Sequence, residues 1–270
     1  MRAIEEKFRD LESRNEGALI GYITCGDPTA EYTLEIADAL IYGGIDMLEL
    51  GIPFSDPIAD GPIIQRATFR ALKSGMKPRK VLELAGRIAA KYSIPVLILT
   101  YYNIVYRMGI EEFFSFAKRN SVSGVIVPDL PVEEASEYKI IAERYDVDTI
   151  FLAAPSTSDE RLRKIMEYSS GFIYLVSVFG VTGVRDKLRE DSLRFIKRAL
   201  SITMERKRLA VGFGISKPEH VRSIISTGVD GVIVGSRFIK VIERNINNKE
   251  KMLMKLRETA KKLKKATIKS

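Results

Sequence analysis

A single (β/α)8 barrel is the fold this sequence predicts, on three observations: its length, eight short apolar runs alternating with helical patterns, and no linker dividing them. The 270 residues are close to the roughly 250 of a typical barrel of this kind. The runs are ALIGYIT (18–24), IDMLELG (45–51), PVLILTY (95–101), GVIVPDL (124–130), DTIFLAAP (148–155), FIYLVSV (172–178), LAVGFG (209–214) and GVIVGS (231–236). They are nearly continuous rather than strictly alternating, as expected of parallel strands covered on both faces. Helical patterns lie between them at Ala30–Ile41, Lys80–Tyr92, Ile110–Lys118, Glu133–Tyr145, Asp159–Tyr168, Ser192–Leu200 and Lys217–Thr227. Thr29, Ser158 and Ser216 stand as N-cap candidates, and Pro78, Pro131 and Pro218 where a missing N–H does little harm. Ahead of the first strand, MRAIEEKFRDLESRNEG sets Ile4, Phe8 and Leu11 among charges and predicts an extra amphipathic helix. Residues 1–270 are therefore expected to form one domain.

Composition narrows the function. The chain is 46% hydrophobic and 29% charged, a balance that fits a soluble protein with a sizeable core. It has no signal-peptide core and no apolar run of the roughly 18 residues a membrane span needs, so a cytoplasmic location is expected. The single Cys25 cannot form an internal disulfide, and the single His220 cannot build a multi-histidine metal site. Of the net +8, Lys249–Ser270 supplies +7, leaving the body almost neutral. In that tail Leu253, Leu256, Ala260 and Leu263 recur at helical spacing, which predicts a last helix docked by one stripe with its lysines solvated rather than a nucleic-acid or membrane arm.

In a barrel of this type the carboxyl ends of the strands face the active site. In the second run Met47 and Glu49 point one way and Asp46, Leu48 and Leu50 the other. If Leu48 and Leu50 pack under helices, Glu49 projects into the barrel mouth. A carboxyl group in apolar company holds its proton to higher pH and suits a general acid/base; a structural ion pair is the other reading. The loop that follows, GIPFSDPIADGP, is too long for a bare strand-to-helix link and reads as a lid or binding loop. Its Asp56 and Asp60 equally fit turn chemistry. Late in the chain Gly180–Gly183, Gly212-Phe213-Gly214 and Gly235-Ser236 fall at successive strand ends, where barrels often bind phosphate through backbone N–H groups. No lysine lies within the eight runs, which argues against Schiff-base chemistry on a barrel strand. Cys25 reads as a small wall residue and His220 as a surface or helix-packing one.

These motifs together resemble the α subunit of tryptophan synthase from end to end. LELGIPFSDPIADGPIIQRA follows the second strand; GYITCGDP, TYYN, VPDLPVEE, FLAAPSTSDER, YLVSVFGVTGVR, VGFGIS and GVIVGS occur in the family's order. The resemblance implies retro-aldol cleavage of indole-3-glycerol phosphate to indole and glyceraldehyde 3-phosphate, with no cofactor in this subunit. It implies that Glu49 protonates C3 of the indole ring and handles the glycerol hydroxyl proton, that Asp60 serves the indole N–H, and that Tyr174 assists Glu49. Tyr22, Leu99, Tyr101 and Ile126 match the indole pocket. Tyr22 stands where many members have phenylalanine, and Ile126 where leucine is familiar. Gly183, Gly214, Gly235 and Ser236 match the phosphate site, and Thr182 belongs to a loop that closes toward Asp60. In that loop Val178 and Phe179 replace an arginine and a serine of the best-known bacterial form. The partner implied is a pyridoxal-phosphate β subunit in an α2β2 complex, faced by Ser55, Asp56, Pro57, Ile58, Asn103 and Pro131. A noncatalytic phosphate-binding barrel acting as an activating subunit is the alternative.

Overall fold

In the computed structural model, which describes residues 2–176, 190–204, 206–212 and 214–269, the predicted runs form a parallel sheet. Its strands are β1 (Ala18–Thr24), β2 (Met47–Gly51), β3 (Val96–Leu99), β4 (Gly124–Ile126), β5 (Asp148–Ile150), β6 (Leu152–Ala153), β7 (Ile173–Val176), β8 (Leu209–Gly212) and β9 (Gly231–Val234). They pair in the order β5-β4-β3-β2-β1-β9-β8-β7-β6. The two ends of that order, β5 and β6, are separated in the chain by Phe151 alone. The Phe151 carbonyl accepts from the Tyr174 N–H at 3.0 Å, so the fifth predicted run is one strand with a break, and its halves close the sheet into a (β/α)8 barrel.

The period-2 alternation of the strands sorts their side chains into two cores. Leu19, Leu48, Leu50, Val96, Ile98, Val125, Val211 and Val232 face outward, beneath the helices. Ile20, Met47, Leu97, Ile126, Ile150, Ala210 and Ile233 fill the interior. The predicted first helix, α1 (Ala3–Ser13), adds Ile4, Phe8 and Leu11 to that interior core, and the Phe8 ring meets Phe172 edge-on with centroids 6.0 Å apart. Helix α1 is thus a plug at the amino end of the barrel. Charges lock its rim: Arg2 pairs with Asp146 and Asp148, and Arg208 with Glu5, Glu12 and Asp230.

Around the sheet run α2 (Ala30–Tyr42), α3 (Pro62–Lys73), α4 (Pro78–Tyr92), α5 (Tyr102–Met108), α6 (Ile110–Arg119), α7 (Ser136–Arg144), α8 (Asp159–Tyr168), α9 (Glu190–Thr203), α10 (Pro218–Ile225), α11 (Ser236–Arg244) and α12 (Lys249–Lys264). The sequence patterns omit α3, α5 and α11. Helix α11 follows β9 with only Gly235 between, and its β-branched and aromatic residues are ones of high strand propensity. Its buried positions, Phe238, Ile239, Val241 and Ile242, nevertheless follow helical spacing. Ser158 caps α8 by accepting from the Arg161 N–H. Thr29 occupies the N-cap position of α2, but its hydroxyl donates to Glu31, and the N-cap of α10 is Lys217 rather than Ser216. The basic C-terminal helix α12 buries Met252, Leu256, Ala260 and Leu263. Lys264 at its end reaches Glu16 and Asp46, each at 2.8 Å, so the lysine-rich tail is docked.

Phe8→Ala should cost about 3–5 kcal/mol, the range for emptying a large aromatic site in a core, because Phe8 is 2% exposed. Urea denaturation of the two proteins measures this, and a loss below about 1 kcal/mol would show that the plug is dispensable.

Candidate active site

Glu49 lies near the carboxyl end of β2, in register with Tyr22 of β1 on one side and Leu97 of β3 on the other. With Leu48 and Leu50 packed beneath the helices, the alternation turns its side chain inward, where Glu49 is 1% exposed. Its Oε2 atom has no hydrogen-bond partner among the described residues. Burial, and then the charge of Asp60, push the Glu49 carboxyl up from 4.5 to about 8. No cation pairs with Glu49 among the described residues.

Asp60 arrives from the loop between β2 and α3. That loop is folded by its own backbone, Ile58 N–H donating to the Asp56 carbonyl at 2.9 Å and Asp60 N–H to the Pro57 carbonyl at 3.1 Å. The Tyr101 hydroxyl accepts from the Ala59 N–H at 3.1 Å, which leaves its own proton for the Asp60 carboxylate. Burial pushes Asp60 up from 3.8 to about 6, against the lowering pull of Tyr101. Tyr101 thus holds the Asp60 end of the loop, with Phe54 tilted over its ring at 5.3 Å between centroids.

Both carboxyl groups open into one cavity of about 640 Å³ counted out to its mouth, lined also by Tyr22, Leu99, Tyr174, Gly214, Gly235 and Ser236. Tyr22 and Tyr174 are 5% and 6% exposed, and burial raises both phenols well above their usual range. Their hydroxyls reach Gly51 and Gly212 so closely that a Cβ at either glycine would strike the phenol. At the other end of the lining, Gly235 is the N-cap of α11. The Phe238 and Ile239 N–H groups bond back to its carbonyl. The Ser236 and Arg237 N–H groups then stand at a helix start suited to an anion, and Gly214 opposite has φ of +75°.

Of the remaining residues expected from sequence, Ile126 lies in the interior core, in register with the cavity-lining Leu99, and Tyr101 holds the Asp60 loop at Ala59. Thr182 and Gly183, with Val178 and Phe179, lie outside the described residues. Ile64, Ile215 and Ile233 also line the cavity without having been singled out. Ile233 was within reach, since it shares the inward phase of Gly231 and Gly235. Sequence reading also missed the brace beneath the site. Arg70 of α3 donates to buried Asp27 at 2.6 and 2.9 Å and to Glu243 of α11 at 3.2 Å, while Arg66 donates to Glu243 at 2.6 and 3.0 Å. The i,i+4 spacing of Arg66 and Arg70 was its only signal. Cys25 is buried in the outer core beside Thr33, with its thiol pushed up to about 12 by burial. His220 is 2% exposed, with Nδ1 accepting from the Ser216 N–H at 3.4 Å; it packs inside rather than on the surface. Among the described residues no three His, Cys, Asp or Glu side chains converge to hold a metal ion, and no helix is long and apolar enough to cross a membrane.

A (β/α)8 barrel whose cavity brings together two carboxyl groups raised above their usual range, beside the start of a helix, is the framework of a small-molecule enzyme. Residues 8–268 match the family model described as tryptophan synthase alpha chain, and the chain belongs to that family. It is 46% identical over 260 residues to the tryptophan synthase alpha chain of Methanothermobacter thermautotrophicus, covering 96% of each chain. With that of Pyrococcus abyssi it shares 46% over 247 residues, covering 91% of this chain and 98% of the other. A chain from the solved tryptophan synthase α2β2 complex of Pyrococcus furiosus superposes with a TM-score of 0.86 at 42% identity, covering 92% and 98% of the two chains.

The raised value of Glu49 makes a stability prediction. Between pH 4.5 and about 8 the folded state keeps a proton that the unfolded chain has released, so this carboxyl costs stability increasingly as pH rises through that window. Glu49→Gln cannot ionise. Its stability relative to the unchanged protein should therefore grow from pH 5 to pH 8.5, by up to about 1.4 kcal/mol per pH unit; a difference independent of pH in urea denaturation contradicts the burial argument.

Proposed function

We propose that this chain cleaves indole-3-glycerol phosphate to indole and glyceraldehyde 3-phosphate as the α subunit of tryptophan synthase, with Glu49 and Asp60 carrying the proton transfers. The observation that carries this reading is the buried Glu49 carboxyl, without a partner on Oε2 and protonated up to about 8, in one cavity with Asp60. The proton of Glu49 goes to C3 of the indole ring, which becomes an indolenine-like cation. Asp60, ionised above about 6, accepts the ring N–H as a hydrogen bond and stabilises that charge. The C3 to glycerol carbon bond then breaks with its electron pair returning to the ring. The adjacent hydroxyl becomes the aldehyde and gives its proton to the Glu49 carboxylate, so the acid is regenerated. Tyr22 and Leu99 supply flat apolar walls for the indole, Tyr174 flanks Glu49, and Gly214, Gly235 and Ser236, with Gly183, hold the phosphate.

This route needs no cofactor in the α subunit; pyridoxal phosphate belongs to the β subunit that receives the indole. Ser55, Asp56, Ile58, Asn103 and Pro131 are exposed and Pro57 is partly so, on loops at the carboxyl end of the strands. Ile58 is 81% exposed, an apolar side chain that a partner would cover. Asp56 is hydrogen-bonded to the Ser55 hydroxyl at 2.5 Å and belongs to this surface rather than to the chemistry. The whole chain acts as one domain, in the cytoplasm.

Indole release from indole-3-glycerol phosphate, by the chain alone and with a β subunit, tests this reading. Glu49→Gln should lower turnover about a thousandfold and Asp60→Asn about a hundredfold, in the range of lost acid–base catalysis. The rate should peak between the two values, falling below pH 6 as Asp60 protonates and above pH 8 as Glu49 ionises. Unchanged turnover in Glu49→Gln overturns the assignment, and silence of the unmutated chain in both conditions favours the noncatalytic barrel. Tyr101→Phe should move the acidic limb upward, since its hydroxyl holds Asp60 down; an unmoved limb would remove Tyr101 from that role.

A further inference from the structure

A second concave site lies outside the catalytic cavity, between α11 and α12. Counted out to its mouth, as for the catalytic cavity, it holds about 790 Å³. Helix α11 presents Arg237, Lys240 and Arg244 to it at i, i+3 and i+7; α12 presents Lys255 and Lys262, seven apart, from the facing side. Such spacings put each set on one helix face, so two basic stripes confront each other over a floor that includes Val241 and Leu263. Glu258 is the one carboxylate in the lining, which leaves a net charge of +4.

Lys249, Lys264, Arg66, Arg70 and Arg208 all reach carboxylates. None of the five cations of the groove makes an ion pair or side-chain hydrogen bond among the described residues. Arg237 and Lys255 are partly buried, and the Arg237 Nε is buried without a hydrogen-bond partner. A buried guanidinium nitrogen without an acceptor is unfavourable, and facing like charges repel. A multivalent anion between the stripes removes both defects.

We infer that this groove binds a small multivalent phosphate anion, of the di- or triphosphate class, at a site separate from the catalytic cavity. The cations on α11 extend over roughly 10 Å of helix, too far for one phosphate group but matched by a chain of two or three. Guanidinium groups are suited to phosphate oxygens. A nucleic acid fits less well, since no aromatic ring lines the groove for base stacking. The groove backs onto the catalytic cavity: Ile215 and Ser236 line the cavity, while the next residues, Ser216 and Arg237, line the groove.

Tripolyphosphate binding to the full chain, followed by calorimetry at low salt, tests the site. One equivalent should bind at least tenfold more tightly than inorganic phosphate. Arg237→Gln, and separately the double variant Lys255→Gln with Lys262→Gln, should each weaken it tenfold or more with unchanged circular dichroism. Lys73→Gln, an exposed lysine of α3, should bind like the unmutated protein. No saturable binding, equal weakening by Lys73→Gln, or tighter binding of a DNA oligonucleotide through the same residues would each overturn the inference.

Discussion

One buried carboxyl group sets the terms for the rest of this barrel. Glu49 sits where a strand interior would ordinarily place an apolar side chain, and burial keeps its proton in place to about pH 8. A group held this way is destabilising above neutrality, and the surrounding structure has to tolerate it. It does so by separating two duties along the barrel axis. The amino end is filled by α1 and rimmed by ion pairs of Arg2 and Arg208. The carboxyl end keeps space, two tyrosine rings and two acids.

The second acid is tuned in the opposite sense. Asp60 is less deeply buried than Glu49, and the Tyr101 hydroxyl stabilises its charged form, so near neutrality one carboxyl is protonated while the other is ionised. Pairs of acids pushed apart in this manner divide into donor and acceptor. The loop carrying Asp60 runs into α3, and α3 is braced by Arg66 and Arg70 to Glu243 on α11 and to Asp27 after β1. That brace joins the acid-bearing loop to α11, whose first residues line the same cavity.

Much of this was legible in the sequence because strand phase is a rigid rule. Once Leu48 and Leu50 are outward, Glu49 is inward, and the end of its strand is at the mouth. The same rule reaches Ile233 between Gly231 and Gly235. What period alone could not give were the helices that start without a linker: α11 begins one residue after β9, and α5 begins soon after β3. The long-range partners were likewise invisible, since Arg70 and Asp27 lie 43 residues apart and only the closed barrel brings them together.

The protonation of Glu49 at neutral pH is the central claim, and infrared difference spectroscopy between the unmutated protein and Glu49→Gln reads it directly. A protonated carboxyl band present at pH 7 and lost with a midpoint near 8 is the predicted result. A carboxylate already ionised at pH 6 would contradict the account, since Glu49 would then hold no proton to give to a substrate carbon.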